Sequence, residues 1–547
     1  MFIKKILVLS ILISAITGCS QRGEWNAEYG TAPATTPSQI QGVYYYPEYG
    51  IYGQTGHNTG LTTINGTKTI SVLLPMSGPN SAVGRGISTS LELAFLQRRY
   101  ENISVTFFDL TGNRTQKQDI IATALSEQPD IVLGPVFAED VRLVRDMKPS
   151  DLPVLSFSSD TSALGGGVMT MALVPAQSVE VIVKEISNDK ANGFVILAPS
   201  TSSGKLMAGS AVLAANTYDV PVAGLFYYNE GDTESVKQAA QRAAMFVARS
   251  AANTRAREIL SDILLKESLT STQKSSVTTQ LEKISKSDTI GKVPYDAVLF
   301  LGNANDSRNI ASFLRYYDVA TRDVQFYGTA IWDGAEFQND LTMTGAKFAA
   351  LPAISESFTR LYEQAAGNIP SRLDTFGFDA ANLAIGMLYS SKSSAAYLLD
   401  PSGYKGLDGL FRLRPDGASE RALNVMELTG GGDTRLRRPA PVNFLTPVYS
   451  VPAYQTSQAK EIALISKGIN PTDYINIPEH LRVKYKSKTY GANMTAEPGG
   501  TQTTDTTQIV IMPEDDRDID IYADPDFQPI GLEQIDRQLI DSVEVYE

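Results

Sequence analysis

The 547-residue chain has one cysteine, Cys19, and two histidines, His57 and His480. Each scarcity removes a class of chemistry. A single sulfur permits no internal disulfide, so a chain entering an oxidising compartment gains no covalent brace there. A zinc cluster of His and Cys is excluded for want of ligands, and no metal is expected. Both histidines lie outside the region of alternating strands and helices, so that region holds neither a Ser-His-Asp triad nor a Cys-His pair. No segment after the N-terminus runs for 18 uninterrupted apolar residues, which excludes a transmembrane helix. Basic charge is also scarce: the net charge is −13. Residues 501–547 hold 13 acidic and 2 basic residues, so nearly all of that excess sits at the C-terminus. The rest is close to neutral, which argues against nucleic-acid binding.

What is present starts with an export signal. Lys4 and Lys5 precede an apolar run at 6–16, broken only by Ser10 and Ser14. That run is shorter than the ~20 residues needed to span a bilayer. A basic start and a short apolar core form a signal peptide, here 1–18. It ends in Ile16-Thr17-Gly18-Cys19. Small residues before a cysteine suit a lipoprotein signal peptidase, and the thiol is the nucleophile that takes up lipid. The stretch closely resembles the bacterial lipobox. Cleavage before Cys19 and a lipid anchor on its sulfur are therefore expected. Ser20 rather than Asp follows, which in lipoprotein sorting implies the periplasmic face of the outer membrane, with the inner membrane as the alternative.

Residues 19–67 are rich in Gly, Tyr, Thr and Pro and read as a flexible tether. Residues 68–447 alternate strands and helices, and 448–547 lose that rhythm and read as a mostly disordered acidic tail. Strands are expected over 69–74, 103–110, 130–133 and 153–157, with helices over 84–100, 115–127 and from about Ala138. The pattern then restarts with helices over 175–189 and 203–216 and strands over 193–197 and 220–228. After an interruption it closes with strands over 297–301 and 324–327 around a helix over 306–317. Such alternation implies parallel sheets covered on both faces, hence an α/β fold. Two runs imply two doubly wound lobes: lobe 1 about 68–172 and 353–410, lobe 2 about 173–352, with 411–447 as returning strands. The interruption, about 233–286, reads as two long polar helices inserted in lobe 2. They form either a protein-docking surface or a solubilising outgrowth.

Open α/β sheets bind ligands at the C-terminal ends of their strands. The first candidate loop holds Ser77 and Gly78, whose hydroxyl and amides suit a carboxylate. The second holds Ser158, Ser159 and Asp160, equally able to cap a following turn. The third holds Ser202 and Ser203 at a helix start, where an anion is favoured. Asn303 and Asp333, after the last two strands, complete the set. Gly204-Lys205 has part of a phosphate loop, but Leu206 lacks the metal-binding hydroxyl and Pro199 replaces the first glycine. No cofactor and no enzymatic activity are expected.

At these loops a family resemblance appears. VLLPMSGPNSAVGRGISTSLELAF is similar to the opening of type I periplasmic binding proteins. IVLGPVFAEDV, PVLSFSSDTSALGGGVMTMALVPAQSVE and FVILAPSTSSGKLM resemble the lipoprotein activators of penicillin-binding proteins, as do the closing ERALNVMELTGGG and RRPAPVNF. The resemblance spans about 69–444. It implies two Rossmann-like lobes joined by a multi-strand hinge, and contact with a bifunctional penicillin-binding protein during peptidoglycan assembly. The best-known activators carry a helical-repeat domain before this body, and here only the tether precedes it. Amino-acid-binding relatives place an acidic residue after the strand matching 324–327, where this chain has Gly328-Thr329-Ala330-Ile331 and only later Asp333. The competing expectation is a lipoprotein receptor that closes on an amino acid or related solute for ABC-type uptake or sensing.

The lipid expectation predicts that a Cys19→Ala variant leaves the membrane fraction for the soluble one. Retention as tight as wild type would mean that another group anchors the chain.

Overall fold

Each β-α repeat delivers the C-terminal end of a strand to the same edge of a sheet, and that edge is where the candidate residues sit. The computed structural model describes residues 67–97, 102–267, 269–319, 322–337, 341–445 and 447–449, with a short antiparallel pair at Lys484–Tyr485 and Ile519–Asp520. The signal peptide, Cys19, the tether and the rest of the acidic tail lie outside the described residues. Among the described residues no helix is long and apolar enough to cross a membrane. The chain divides into two compact units. One holds the residues up to Gln177, Leu351–Asn424 and the stretch from Pro439; the other holds Ser178–Ala350 and Val425–Arg438.

In the first unit β1 (Lys68–Leu74), β2 (Ile103–Asp109), β3 (Ile131–Leu133), β4 (Val154–Ser156) and β5 (Val168–Thr170) form a parallel sheet, ordered β2-β1-β3-β4-β5. Ile70, Val72, Leu73 and Leu74 are all fully buried. Consecutive apolar residues are what a strand covered on both faces requires. The helix expected from Gly84 already starts at Ser81, because the Asn80 carbonyl accepts the Val83 and Gly84 amides. The sequence pattern does not announce β5: it is only three residues long and follows Gly165-Gly166-Gly167, all with positive φ. Helix Arg372–Tyr389 packs on helix Ser81–Gln97 through small residues. A Cβ at Gly86 would lie 2.4 Å from Asp374 Oδ1, and one at Gly377 3.1 Å from Ile87.

In the second unit β6 (Phe194–Pro199), β7 (Val222–Tyr228), β8 (Ala297–Phe300), β9 (Gln325–Gly328) and β10 (Lys347–Ala350) run parallel in the order β7-β6-β8-β9-β10. The chain then contributes β11 (Tyr404–Gly406), β12 (Gly409–Leu413) and β13 (Ser419–Arg421), an antiparallel sheet in the first unit. The antiparallel hairpin of β14 (Asn424–Leu428) and β15 (Thr434–Arg438) completes the seven-stranded sheet beside β10. Val448 and Tyr449, just past the expected end of the body, are buried, and the Glu420 carboxylate accepts both their amides.

The 233–286 stretch corrects the expectation of two polar helices. It contains three: Thr233–Ala243, Phe246–Leu264 and Ser271–Ile284. Met245, with φ 49°, breaks the Ala-rich run after the first. That first helix is not an outgrowth, because Val236, Ala239, Ala240 and Ala243 are buried in the unit's main core. The other two form a hairpin around a core of their own that includes Ala256, Leu260, Ile263 and Val277. Arg249, 3% exposed, joins the hairpin to the main body. Its guanidinium donates to the carbonyls of Ala244, Gly291, Tyr317 and Asp318 at 2.8–3.2 Å.

A second buried guanidinium organises the first unit. Arg421 lies over the Phe376 and Phe411 rings, 4.1 and 4.9 Å from their centroids, and donates to the Met171 carbonyl. Its backbone amide donates to Gln177 Oε1 at 3.0 Å. The Asp379 and Asp408 carboxyls lie nearby, and Arg372 pairs with Asp408 while donating to the Pro352 carbonyl at 2.8 Å. Burial pushes the Asp379 carboxyl up to about 8, against the opposing pull of Arg421. Removing one member of a buried charge group strands the others. Arg421→Met is therefore expected to lower the unfolding free energy by about 3–5 kcal/mol, read as a fall in the urea midpoint. A loss below about 1 kcal/mol would show that the guanidinium is dispensable.

Candidate functional site

The first unit carries Ser77 and Gly78 just beyond β1, and Ser158, Ser159 and Asp160 just beyond β4. The two loops share the C-terminal edge but are separated by β3. Gly78 takes φ 71° in the turn, a conformation that side chains other than glycine's resist. Ser77 is exposed, but its loop is already engaged. The Met76 and Ser77 amides both donate to Asp109 Oδ1, at 2.8 and 3.2 Å, and Thr111 Oγ1 donates to the same atom at 2.5 Å. Two of the amides expected to receive a ligand carboxylate therefore hold one from the end of β2. Although partial burial works the other way, hydrogen bonds from the Ser77 and Thr111 side chains and from the two amides hold Asp109 below the usual carboxylate range.

In the β4 loop Asp160 acts as a cap. Its carboxylate accepts the Ser162 amide at 2.9 Å at the start of the short Thr161–Ala163 turn, and pairs with Arg142 at 2.8 Å. Burial raises its proton affinity, but the Ser162 hydrogen bonds and the Arg142 charge outweigh it and lower the pKa. Ser158 is buried: its Oγ accepts the Asp160 amide, and its carbonyl accepts Thr170 Oγ1 at 2.6 Å. Ser159 is exposed.

In the second unit Ser202–Ser203, Asn303 and Asp333 follow β6, β8 and β9, which are neighbours, so this unit does gather its candidates along one edge. Among them the Asn303 side chain serves the fold. Thr201, not Ser202, caps helix Ser202–Thr217 by accepting the Gly204 amide at 3.1 Å. Both serines are exposed on its first turn. Gly204 is obligatory, since a Cβ there would stand 2.1 Å from the Pro199 carbonyl oxygen; Gly84 meets the Pro75 carbonyl at the same 2.1 Å in the first unit. Asn303 caps helix Ala304–Tyr316 by accepting the Asp306 amide at 2.9 Å. The Asp333 amide closes the Ala330–Trp332 turn on the Ala330 carbonyl at 3.1 Å. Sequence reading missed Asp109 and Thr111; the available signal was a carboxylate ending the strand next to β1, two residues before a threonine.

Residues 59–424 match the family model described as "LppC putative lipoprotein". The chain belongs to the LppC lipoprotein family. No curated protein matches it. Among solved structures, a "putative branched-chain amino acid ABC transporter" from Rhodospirillum rubrum is similar at 15% identity, covering 68% of this chain and 99% of its own, with TM-score 0.51. The LpoA (YraM) C-domain from Haemophilus influenzae, a regulator of PBP1A, is 17% identical over 68% of this chain and 99% of its own, with TM-score 0.46. Full-length LpoA from the same organism matches at 16% identity and TM-score 0.46, and this LppC-family chain spans 59% of its length. The fold is α/β, of the type I periplasmic-binding-protein class.

An Asp109→Ala variant is expected to lose about 1 kcal/mol of stability at neutral pH, a modest figure because the site faces solvent. Since folding lowers the Asp109 pKa from 3.8, its contribution is present above that value and lost as pH falls through the folded pKa. Denaturation curves at pH 7 and in acid check this: the difference between wild type and variant should shrink in acid, and a constant difference would contradict it.

Proposed function

We propose that this chain is a lipid-anchored periplasmic accessory protein that activates a penicillin-binding protein in peptidoglycan synthesis. Membership of a lipoprotein family and the lipobox-like 16–19 support the anchor. Ser20 favours the periplasmic face of the outer membrane. The nature of the partner follows from the motif resemblance over 69–444. The observation that carries the reading is Asp109, whose carboxylate already occupies the Met76 and Ser77 amides of the β1 loop. A solute receptor needs such amides open for its ligand. In the same direction, Asp160 and Asn303 serve as caps. A non-catalytic role follows, because binding and positioning a partner enzyme requires no reacting groups.

The second reading, a receptor for an amino acid or related solute, is favoured by the likeness to the R. rubrum protein. Fold alone is weak evidence of function. The two are separated by adding the purified lipoprotein to a bifunctional penicillin-binding protein and following glycan polymerisation and cross-linking. Stimulation is expected, together with an unchanged melting curve in amino acids. A ligand at about 100 times its Kd adds about 2.7 kcal/mol, which melting would register. Such a shift without stimulation would reverse the assignment.

A further inference from the structure

The second unit has a cavity of ≈ 310 Å³ that neither reading uses. It opens between helix Thr233–Ala243, the start of helix Phe246–Leu264 and the residues closing helix Ala304–Tyr316. Its apolar wall is formed by Phe246, Tyr316 and Tyr317. The Tyr317 ring lies 4.8 Å from Phe246 and stands edge-on to Tyr316 at 5.1 Å. Tyr316 is 73% exposed, an aromatic surface left in water. The wall is preformed, because Arg249 Nη1 fixes the Tyr317 carbonyl at 3.0 Å and the Tyr317 amide donates to Phe313 at 2.9 Å.

The opposite side is polar and without net charge. Gln238 and Gln241 line it from one face of helix Thr233–Ala243. Glu234 and Lys237 on the same face are 3.8 Å apart, and Gln238 Nε2 is held on Glu234 at 3.1 Å. This combination discriminates among ligands. An ion gains little from a balanced rim. An apolar ligand would cover the Gln241 carboxamide and leave it without a partner. A pyranose supplies both halves: a C–H face to lie on an aromatic ring, and adjacent hydroxyls spaced for a carboxamide. The volume is at the small end of ligand sites, suited to one or two sugar rings.

We propose that this cavity binds a neutral carbohydrate, an N-acetylhexosamine of a glycan strand, with Tyr316 as the stacking platform and Gln238 and Gln241 as hydroxyl partners. The preference for a neutral sugar rests on the cavity alone. The N-acetyl assignment rests on the cell-wall reading above.

Saturation-transfer NMR on the full chain with triacetylchitotriose, and separately with maltotriose, tests this. Chitotriose is expected to respond and maltotriose to respond weakly or not at all. Tyr316→Ala, at an exposed position, should abolish the response with circular dichroism unchanged. Gln241→Ala should weaken binding about tenfold, the scale of one good polar contact. No response to either sugar at millimolar concentration overturns the proposal. Equal responses overturn the N-acetylhexosamine assignment, whatever the penicillin-binding protein assay gives. Loss of partner stimulation in Tyr316→Ala with no sugar bound would mark the cavity as a protein contact and refute it.

Discussion

The first unit is organised around one buried guanidinium. Arg421 is closed off from water between two aromatic rings, and its position is useful because of where its neighbours lie in the chain. The polypeptide passes between the two units after Gln177, Ala350, Asn424 and Arg438. Gln177 is bonded to the Arg421 backbone. Arg372, which shares Asp408 with the cluster, holds the Pro352 carbonyl. Arg421 itself lies three residues before Asn424, whose side chain accepts the Ala440 amide at 2.8 Å. Each passage therefore has a polar contact of the first unit close beside it. A buried charge group contributes little net stability compared with apolar packing, but it tolerates few alternative arrangements. That is a suitable property for segments whose register must not slip.

The same economy of polar groups shapes the strand ends. A doubly wound sheet presents amides, caps and hydroxyls at its C-terminal edge whether or not a solute is to be bound. In this chain Asp109, Thr201, Asn303 and Asp160 satisfy those groups locally. The α/β architecture thus carries several of its strand-end polar groups in internal contacts.

The alternating architecture was legible because buried parallel strands are written as short, mainly apolar runs, as at Val72–Leu74, and some of the helices between them, such as Ala138–Met147, are amphipathic. Helix Arg372–Tyr389, nearly all buried, was not delimited, since a helix packed on all sides loses that period. The number of helices between 233 and 286 was misjudged because Met245 adopts a left-handed turn that no residue type there advertises. The candidate residues were placed correctly at strand ends, but whether a serine or an aspartate contacts a ligand or its own backbone depends on partners distant in sequence. Asp109 reaches back 33 residues to Met76. Gly84 and Gly204 show the reverse case, in which a local residue encodes a close approach between helix and strand that only the folded chain reveals.

The proton on Asp379 couples the Arg421 cluster to the surroundings. Its carboxyl is held near 8 by burial, so in neutral medium it is uncharged and the cluster is short of one anion. Folding has raised this pKa, so the stability it supports is complete in acid and is lost as pH climbs through that value. Loss of that proton puts charge beside both Arg421, which favours it, and Asp408, which opposes it, in a site closed to water.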